Sequence, residues 1–89
     1  MEGNKSDNSK TLLEVFNVGD RVKQVCYEPN GVKREFTGFI MKIQPHCIAV
    51  QWDSVNGNPL SDIRSIYSIF HESEVFNGNE NTSPIIKEN

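Results

Sequence analysis

The chain has 89 residues, a formal net charge of −3 and 36% hydrophobic residues. This length fits one small domain, and the net charge excludes a strongly basic chain that binds nucleic acid through its overall charge. No apolar run approaches the ~18 residues of a membrane-spanning helix. Leu occurs three times and Ala once, whereas Ile and Val are frequent, so we expect an all-β fold.

The first residues carry two expectations. Residues 1–10 are polar and are expected to form a disordered tail. They lack the apolar segment of a secretory signal, so we expect a cytoplasmic protein with Cys26 and Cys47 as free thiols. Thr11 and Glu14 have the spacing of a capping box, which predicts one helical turn. An extended arm with an apolar anchor is an equal alternative, because one turn is not stable alone.

Two strands and a tight turn are predicted next. Residues 21–27 form the first strand, and residues 28–31 form a turn in which Asn30-Gly31 tolerates positive φ. Residues 32–43 form the second strand. Gly38 lies inside it and predicts a bulge or a sharp bend.

The third predicted strand covers residues 47–52. Ile48, Val50 and Trp52 alternate with more polar residues, which assigns Trp52 to the core. Phe39 and Phe70 are also expected there. The remaining predictions are a long polar loop at 53–62, a fourth strand at 63–70, a 3₁₀ turn at 71–74, a closing strand at 75–76 and a disordered tail at 77–89.

The order of these signals resembles a known group of folds. VGDRV at residues 18–22, GFIMKI at 38–43, IAVQWD at 48–53 and IFHESEV at 69–75 are similar to small SH3-like β-barrels of the KOW and Tudor type. The resemblance covers residues 17–76. It implies a five-stranded, strongly bent antiparallel barrel within a domain of residues 11–76. It also implies a binding module for nucleic acid or a nucleic-acid-associated complex.

The charges favour the first hairpin as the binding surface. Residues 17–47 contain five basic and three acidic residues, whereas residues 48–76 contain one basic and four acidic residues. Basic and aromatic side chains together suit phosphate contact and base stacking. The alternative is that these charges only keep the domain soluble. The predicted nucleic-acid-binding residues are Arg21, Lys23, Tyr27, Lys33, Arg34, Phe36 and Lys42.

An aromatic cage is a further possibility within the Tudor resemblance. Tyr27, Phe36 and Tyr67 are its candidates, since two to four rings at one rim can hold a methylated ammonium by cation–π attraction. The alternative for most of the aromatic residues is the core.

Catalysis and metal binding have little support in the sequence. A zinc site would need convergent ligands at short spacing, and His46 and Cys47 are neighbours that point to opposite faces of an extended chain. No motif activates either cysteine as a nucleophile. We therefore predict a non-catalytic module without cofactor or metal and take a monomer as the default. The alternative function is a protein-interaction adaptor or inhibitor that uses the acidic second half, the 53–62 loop or an exposed strand edge.

Overall fold

The computed structural model describes residues 11–60 and 66–88. The predicted disorder of residues 1–10 lies outside these ranges. The described part contains two short helices and six strands. In chain order they are α1 (Leu12–Val15), β1 (Arg21–Tyr27), β2 (Lys33–Gln44), β3 (Cys47–Val55), β4 (Asn58–Pro59), β5 (Ile66–His71), α2 (Glu72–Asn77) and β6 (Ile86–Lys87).

The strands form one antiparallel sheet in the order β4-β3-β2-β1-β6, and β5 also pairs with β3. β5 lies along residues 47–52 of β3, while β4 pairs with Ser54 and Val55. The all-β class is confirmed. The predicted closure of the sheet into a barrel is not confirmed, because no ladder between described residues joins β5 to β1 or β6. The sheet therefore has an open gap between these two sides.

Local signals in the first half form as predicted. The Thr11 hydroxyl accepts from the Glu14 N–H at 3.3 Å, and the Glu14 carboxylate accepts from the Thr11 N–H at 2.9 Å. This capping box starts α1, and the buried Leu12 anchors it on the domain. In the first hairpin turn Gly31 has φ 86° and donates its N–H to the Glu28 carbonyl at 2.8 Å.

Gly38 permits a close crossing of β2 and β3. The register between these strands shifts between Thr37 and Gly38, which confirms the predicted bulge. A Cβ on Gly38 would overlap the backbone oxygen of Gln51 and lie 2.7 Å from Trp52 Cα. Only glycine fits this approach, which bends the sheet and brings Phe36 onto Trp52.

The core lies on the concave face of the bent sheet. Trp52, Ile48 and Val50 are each at most 3% exposed, so their predicted core face is confirmed. Phe70 is half-buried and packs against this cluster. Phe39 does not belong to the cluster, because the register places it opposite Arg21 and Gln51 on the outer face. The other buried members are Leu12, Phe16, Val22, Ile40, Val75 and Ile85.

Three predictions after β3 are wrong in their local structure. The described part of the predicted loop, residues 53–60, is not irregular: β3 continues to Val55, and Asn56-Gly57 forms a turn into β4 with both residues at positive φ. Asn-Gly is a strong hairpin signal and overrides the polar composition. The α-helix α2 takes the place of both the 3₁₀ turn predicted at 71–74 and the strand predicted at 75–76, because His71 and Glu74 form a capping box that starts a helix.

The C-terminal segment is ordered where we predicted a tail. Residues 81–88 run along β1, and the N–H groups of Ser83 and Glu88 donate to the Val25 and Arg21 carbonyls at 2.8 Å. Ile85 is 5% exposed within the core cluster. The physical reason is that β1 has a second edge to pair, and one buried isoleucine anchors the segment there.

Candidate binding site at the free edge of the sheet

The seven residues predicted to bind nucleic acid do not share one face. In β1, Val22 and Gln24 are buried on the concave face, so Arg21, Lys23 and Tyr27 lie on the outer face. Lys33 pairs with Tyr27 and lies beside it. The other members of the set are Arg34 opposite Cys26, Phe36 opposite Gln24 and Lys42 opposite Ala49.

Local carboxylates neutralise most of the hairpin's positive charge. Arg21 makes a two-pronged contact with Asp53 at 2.7 and 3.2 Å, and this hydrogen bond raises the pKa of the guanidinium. Lys23 lies 3.6 Å from Glu35, and Arg34 lies 2.9 Å from Glu28. Among the described residues, Lys33 and Lys42 have no ion-pair partner. Two unpaired cations form a weak phosphate site.

The predicted cage residues lie apart. Phe36 faces the interior, with its ring centroid 5.9 Å from that of Trp52. Tyr27 lies at the end of β1 and Tyr67 on β5, and their side chains are about half exposed. No ring contact within residues 11–60 and 66–88 joins any two of the three. The Trp52 ring instead contacts both Phe36 and Phe70.

The edge strand β5 is the surface that sequence reasoning largely missed. Within the described ranges it pairs with β3 alone. Its residues, IYSIFH, include no Lys, Arg, Asp, Glu or Pro. Tyr67 and Ile69 are 53% and 64% exposed. Natural edge strands usually carry charges, Pro or bulges that block pairing with another chain, and β5 has none of these among its described residues.

The hydrogen-bond phase of β5 shows which backbone groups are at its free edge. The Glu72 N–H donates to the His46 carbonyl at 2.8 Å, immediately after the Cys47–His71 pair. Since bonded and non-bonded pairs alternate along an antiparallel ladder, Phe70 and Ser68 bond to β3. The N–H and C=O groups of Tyr67 and Ile69 therefore point away from β3. The same two residues carry the exposed apolar side chains.

A shallow cavity lies on the outer face beside Tyr67 and Ile69. Its volume is about 110 Å³, and Ala49 of β3 and Lys42 of β2 also line it. Ala49 is 5% exposed. The remaining lining residues are Gln44, Cys47 and Ile48. The free edge of β5 is thus flanked by an apolar surface on the outer face.

The residues considered for metal binding do not converge. His46 lies 3.4 Å from Glu72, and Cys47 is the register partner of His71. No group of three or more His, Cys, Asp or Glu in the described ranges could hold a metal ion.

Neither α1 nor α2 has the length and apolar character to cross a membrane. Comparison of the chain with protein-family models, with curated proteins and with solved structures found no match.

Proposed function

We propose that this protein is a non-catalytic module that binds an extended segment of a partner protein by adding it as a strand to β5. The observation that carries this proposal is an apolar edge strand whose free backbone groups coincide with exposed side chains at Tyr67 and Ile69. In strand addition, main-chain hydrogen bonds supply affinity, and contacts with alternate side chains supply specificity. β5 offers both on one short stretch.

The other edges of the described sheet are poorer templates. β4 has two residues, and one is Pro59, which cannot donate a ladder hydrogen bond. β6 also has two residues, and one is Lys87, a residue type that protects edges. β5 has six residues and is the longest of these three strands. A partner strand therefore gains most by pairing with β5.

Nucleic-acid binding through the first hairpin is a second candidate. Lys33 and Lys42 are exposed and unpaired within the described part of the chain, and Tyr27 is 48% exposed beside Lys33. The resemblance to KOW and Tudor barrels also favours this function. The pairing of Arg21, Lys23 and Arg34 with carboxylates makes it the weaker of the two.

Selection of peptides by display tests strand addition. A library of short unstructured peptides is selected on the wild-type protein, and binding is then measured on Ile69→Lys and Leu13→Lys. Leu13 is the matched control because it is 60% exposed, against 64% for Ile69, and lies on α1. We expect peptides that bind the wild type and Leu13→Lys but lose affinity for Ile69→Lys, with backbone amide shifts concentrated at Tyr67 and Ile69.

Two results would overturn the proposal. One is a failure to select any peptide, and the other is a set of peptides with equal affinity for all three proteins. A parallel titration with single- and double-stranded nucleic acid tests the second candidate. Binding that weakens steeply with salt and is lost in the double variant Lys33→Glu, Lys42→Glu would assign the function to nucleic acid instead.

A further inference from the structure

The usable part of the β5 edge is short. Its backbone groups that point away from β3 belong to Tyr67 and Ile69. The next residue in this phase is His71, whose N–H already donates to the Glu74 carboxylate at 3.0 Å. The helix α2 begins immediately after His71. Within the described residues, an added strand can therefore form a full set of main-chain hydrogen bonds only with Tyr67 and Ile69.

A second copy of β5 matches this short edge. When two β5 strands pair antiparallel about a twofold axis at Ser68, Tyr67 of each copy lies opposite Ile69 of the other. Both pairs are hydrogen-bonded pairs, because these two residues carry the outward-pointing groups. A register centred on Ile69 would instead place Tyr67 opposite His71, whose N–H is already used. The register centred on Ser68 uses every free group of Tyr67 and Ile69 and requires none from His71.

The side chains of β5 also suit a symmetric pair. On the outer face, Tyr67 and Ile69 are 53% and 64% exposed, and an aromatic residue opposite a β-branched one stabilises an antiparallel ladder. The residue at the axis lies opposite itself, so a charged residue there would be repelled by its own copy. Ser68 is uncharged, and paired hydroxyls can form a hydrogen bond. Because IYSIFH contains no Lys, Arg, Asp or Glu, two copies of β5 meet without repulsion between like charges.

We infer that β5 pairs with β5 of a second copy, antiparallel and centred on Ser68, so that the protein covers its own docking edge when no partner is bound. The inference rests on the proposed strand addition and names the occupant of that edge in the free protein. Dimers with one twofold axis are the commonest soluble oligomers. The paired stretch is short, and interfaces below about 1,200 Å² are typically weak and transient. A partner segment can therefore displace the second copy, and dimerisation regulates access to β5.

Disulfide trapping at the axis tests the register. The background carries Cys26→Ala and Cys47→Ala, and Ser68→Cys then places two thiols at a non-hydrogen-bonded pair. The Cα atoms of such a pair are about 4.5 Å apart, within the range of about 4.4–6.8 Å that a disulfide spans. Ser54→Cys is the matched control, because Ser54 is also half-buried on a strand but pairs with β2 and β4 of its own chain. With oxidised glutathione as the oxidant, we expect a covalent dimer of Ser68→Cys and a monomer of Ser54→Cys.

Analytical ultracentrifugation measures the dimer without a covalent link. We expect the wild type and the control Leu13→Lys to associate reversibly between micromolar and millimolar concentrations. Ile69→Lys should raise the Kd of the dimer about tenfold, because the symmetric pair loses both of its contacts between Tyr67 and Ile69 at once. A peptide that binds to β5 should convert the wild-type dimer to monomer, because it occupies the same edge.

Several outcomes would overturn the inference. They are a wild type that stays monomeric at millimolar concentration, equal cross-linking of Ser68→Cys and Ser54→Cys, and faster cross-linking of Ile69→Cys than of Ser68→Cys. Peptides that add to β5 of a protein that never dimerises would overturn the inference and leave strand addition to a partner intact. A dimer linked at Ser68 for which no peptide can be selected would support the inference and overturn the proposed partner binding.

Discussion

Gly38→Ala should destabilise the protein strongly, because the glycine lies where β2 crosses the backbone of β3. The added Cβ would overlap the Gln51 backbone oxygen and lie 2.7 and 2.8 Å from Trp52 Cα and Gln51 C. These are backbone atoms within a ladder, so no side-chain rotation relieves the overlap. Overpacking of a core costs typically about 1–3 kcal/mol, and this case belongs at the upper end. At about 4–8 °C per kcal/mol for a domain of this size, a loss of about 3 kcal/mol lowers Tm by roughly 12–24 °C.

Thermal unfolding followed by Trp52 fluorescence measures this effect. Gly19→Ala is the control, since its Cβ would meet nothing within 4 Å and would carry only the cost of φ 94°, about 1–2 kcal/mol. Gly38→Ala should therefore unfold at a lower temperature than Gly19→Ala. Equal or higher stability of Gly38→Ala would refute the close crossing of β2 and β3 and, with it, the reason given for the contact of Phe36 with Trp52.

Three further predictions concern β5, Thr82 and Cys26. The variant Ile69→Pro should fold, whereas Ser68→Pro should not, because the Ser68 N–H bonds to β3 while the Ile69 N–H faces away from it. Circular dichroism measures folding of both variants, and the opposite result would refute the register. Thr82→Val should raise the free energy of unfolding in urea by about 1 kcal/mol, since it removes a buried unpaired hydroxyl; a loss would indicate that the hydroxyl is paired. Burial raises the pKa of the Cys26 thiol, so the folded state holds this proton more tightly. The contribution of the protonated Cys26 thiol to stability is then complete below the pKa of about 8.5 that the thiol has in the unfolded chain, and this contribution is lost as pH rises beyond that value. Stability measured from neutral to alkaline pH should fall less steeply in Cys26→Ala than in Cys47→Ala.

The parts of the fold that the sequence predicts well rest on short-range physics. The alternation of Ile48, Val50 and Trp52 predicts the core face of β3 because side chains of a strand alternate between faces whatever the partner strand is. The turn at Gly31 and the bulge at Gly38 follow from backbone freedom at single residues. These features need no knowledge of which strands pair.

Two of the wrong predictions depend on long-range pairing. The hydrophobicity of Phe39 predicts a core position, whereas the register of two ladders places it on the outer face. The segment 81–88 has a polar composition, and only its contact with the edge of β1 and the burial of Ile85 show why it is ordered. The Asn56-Gly57 hairpin was a local signal that composition obscured.

The charge pairing within the predicted site also depends on long-range contacts. A count of basic residues along the chain does not show that Arg21 and Asp53, which are 32 positions apart, meet because β1, β2 and β3 lie side by side. A count of aromatic residues likewise does not show their faces, and so it groups Tyr27 and Tyr67 with Phe36. The ladders instead bring Trp52 of β3 and Phe70 of β5 to the same side as Phe36.

The two sides of the gap differ in what an added strand would have to replace. On the β1 side the chain covers its own edge: Tyr27, Val25 and Arg21 all bond to the C-terminal segment. A foreign strand there would have to displace hydrogen bonds that already exist and expose Ile85. On the β5 side the described chain supplies no such strand, so pairing replaces only water. A strand added to β5 would therefore displace no main-chain hydrogen bond of the described chain, which is why we propose β5 and not the β1 edge as the docking strand.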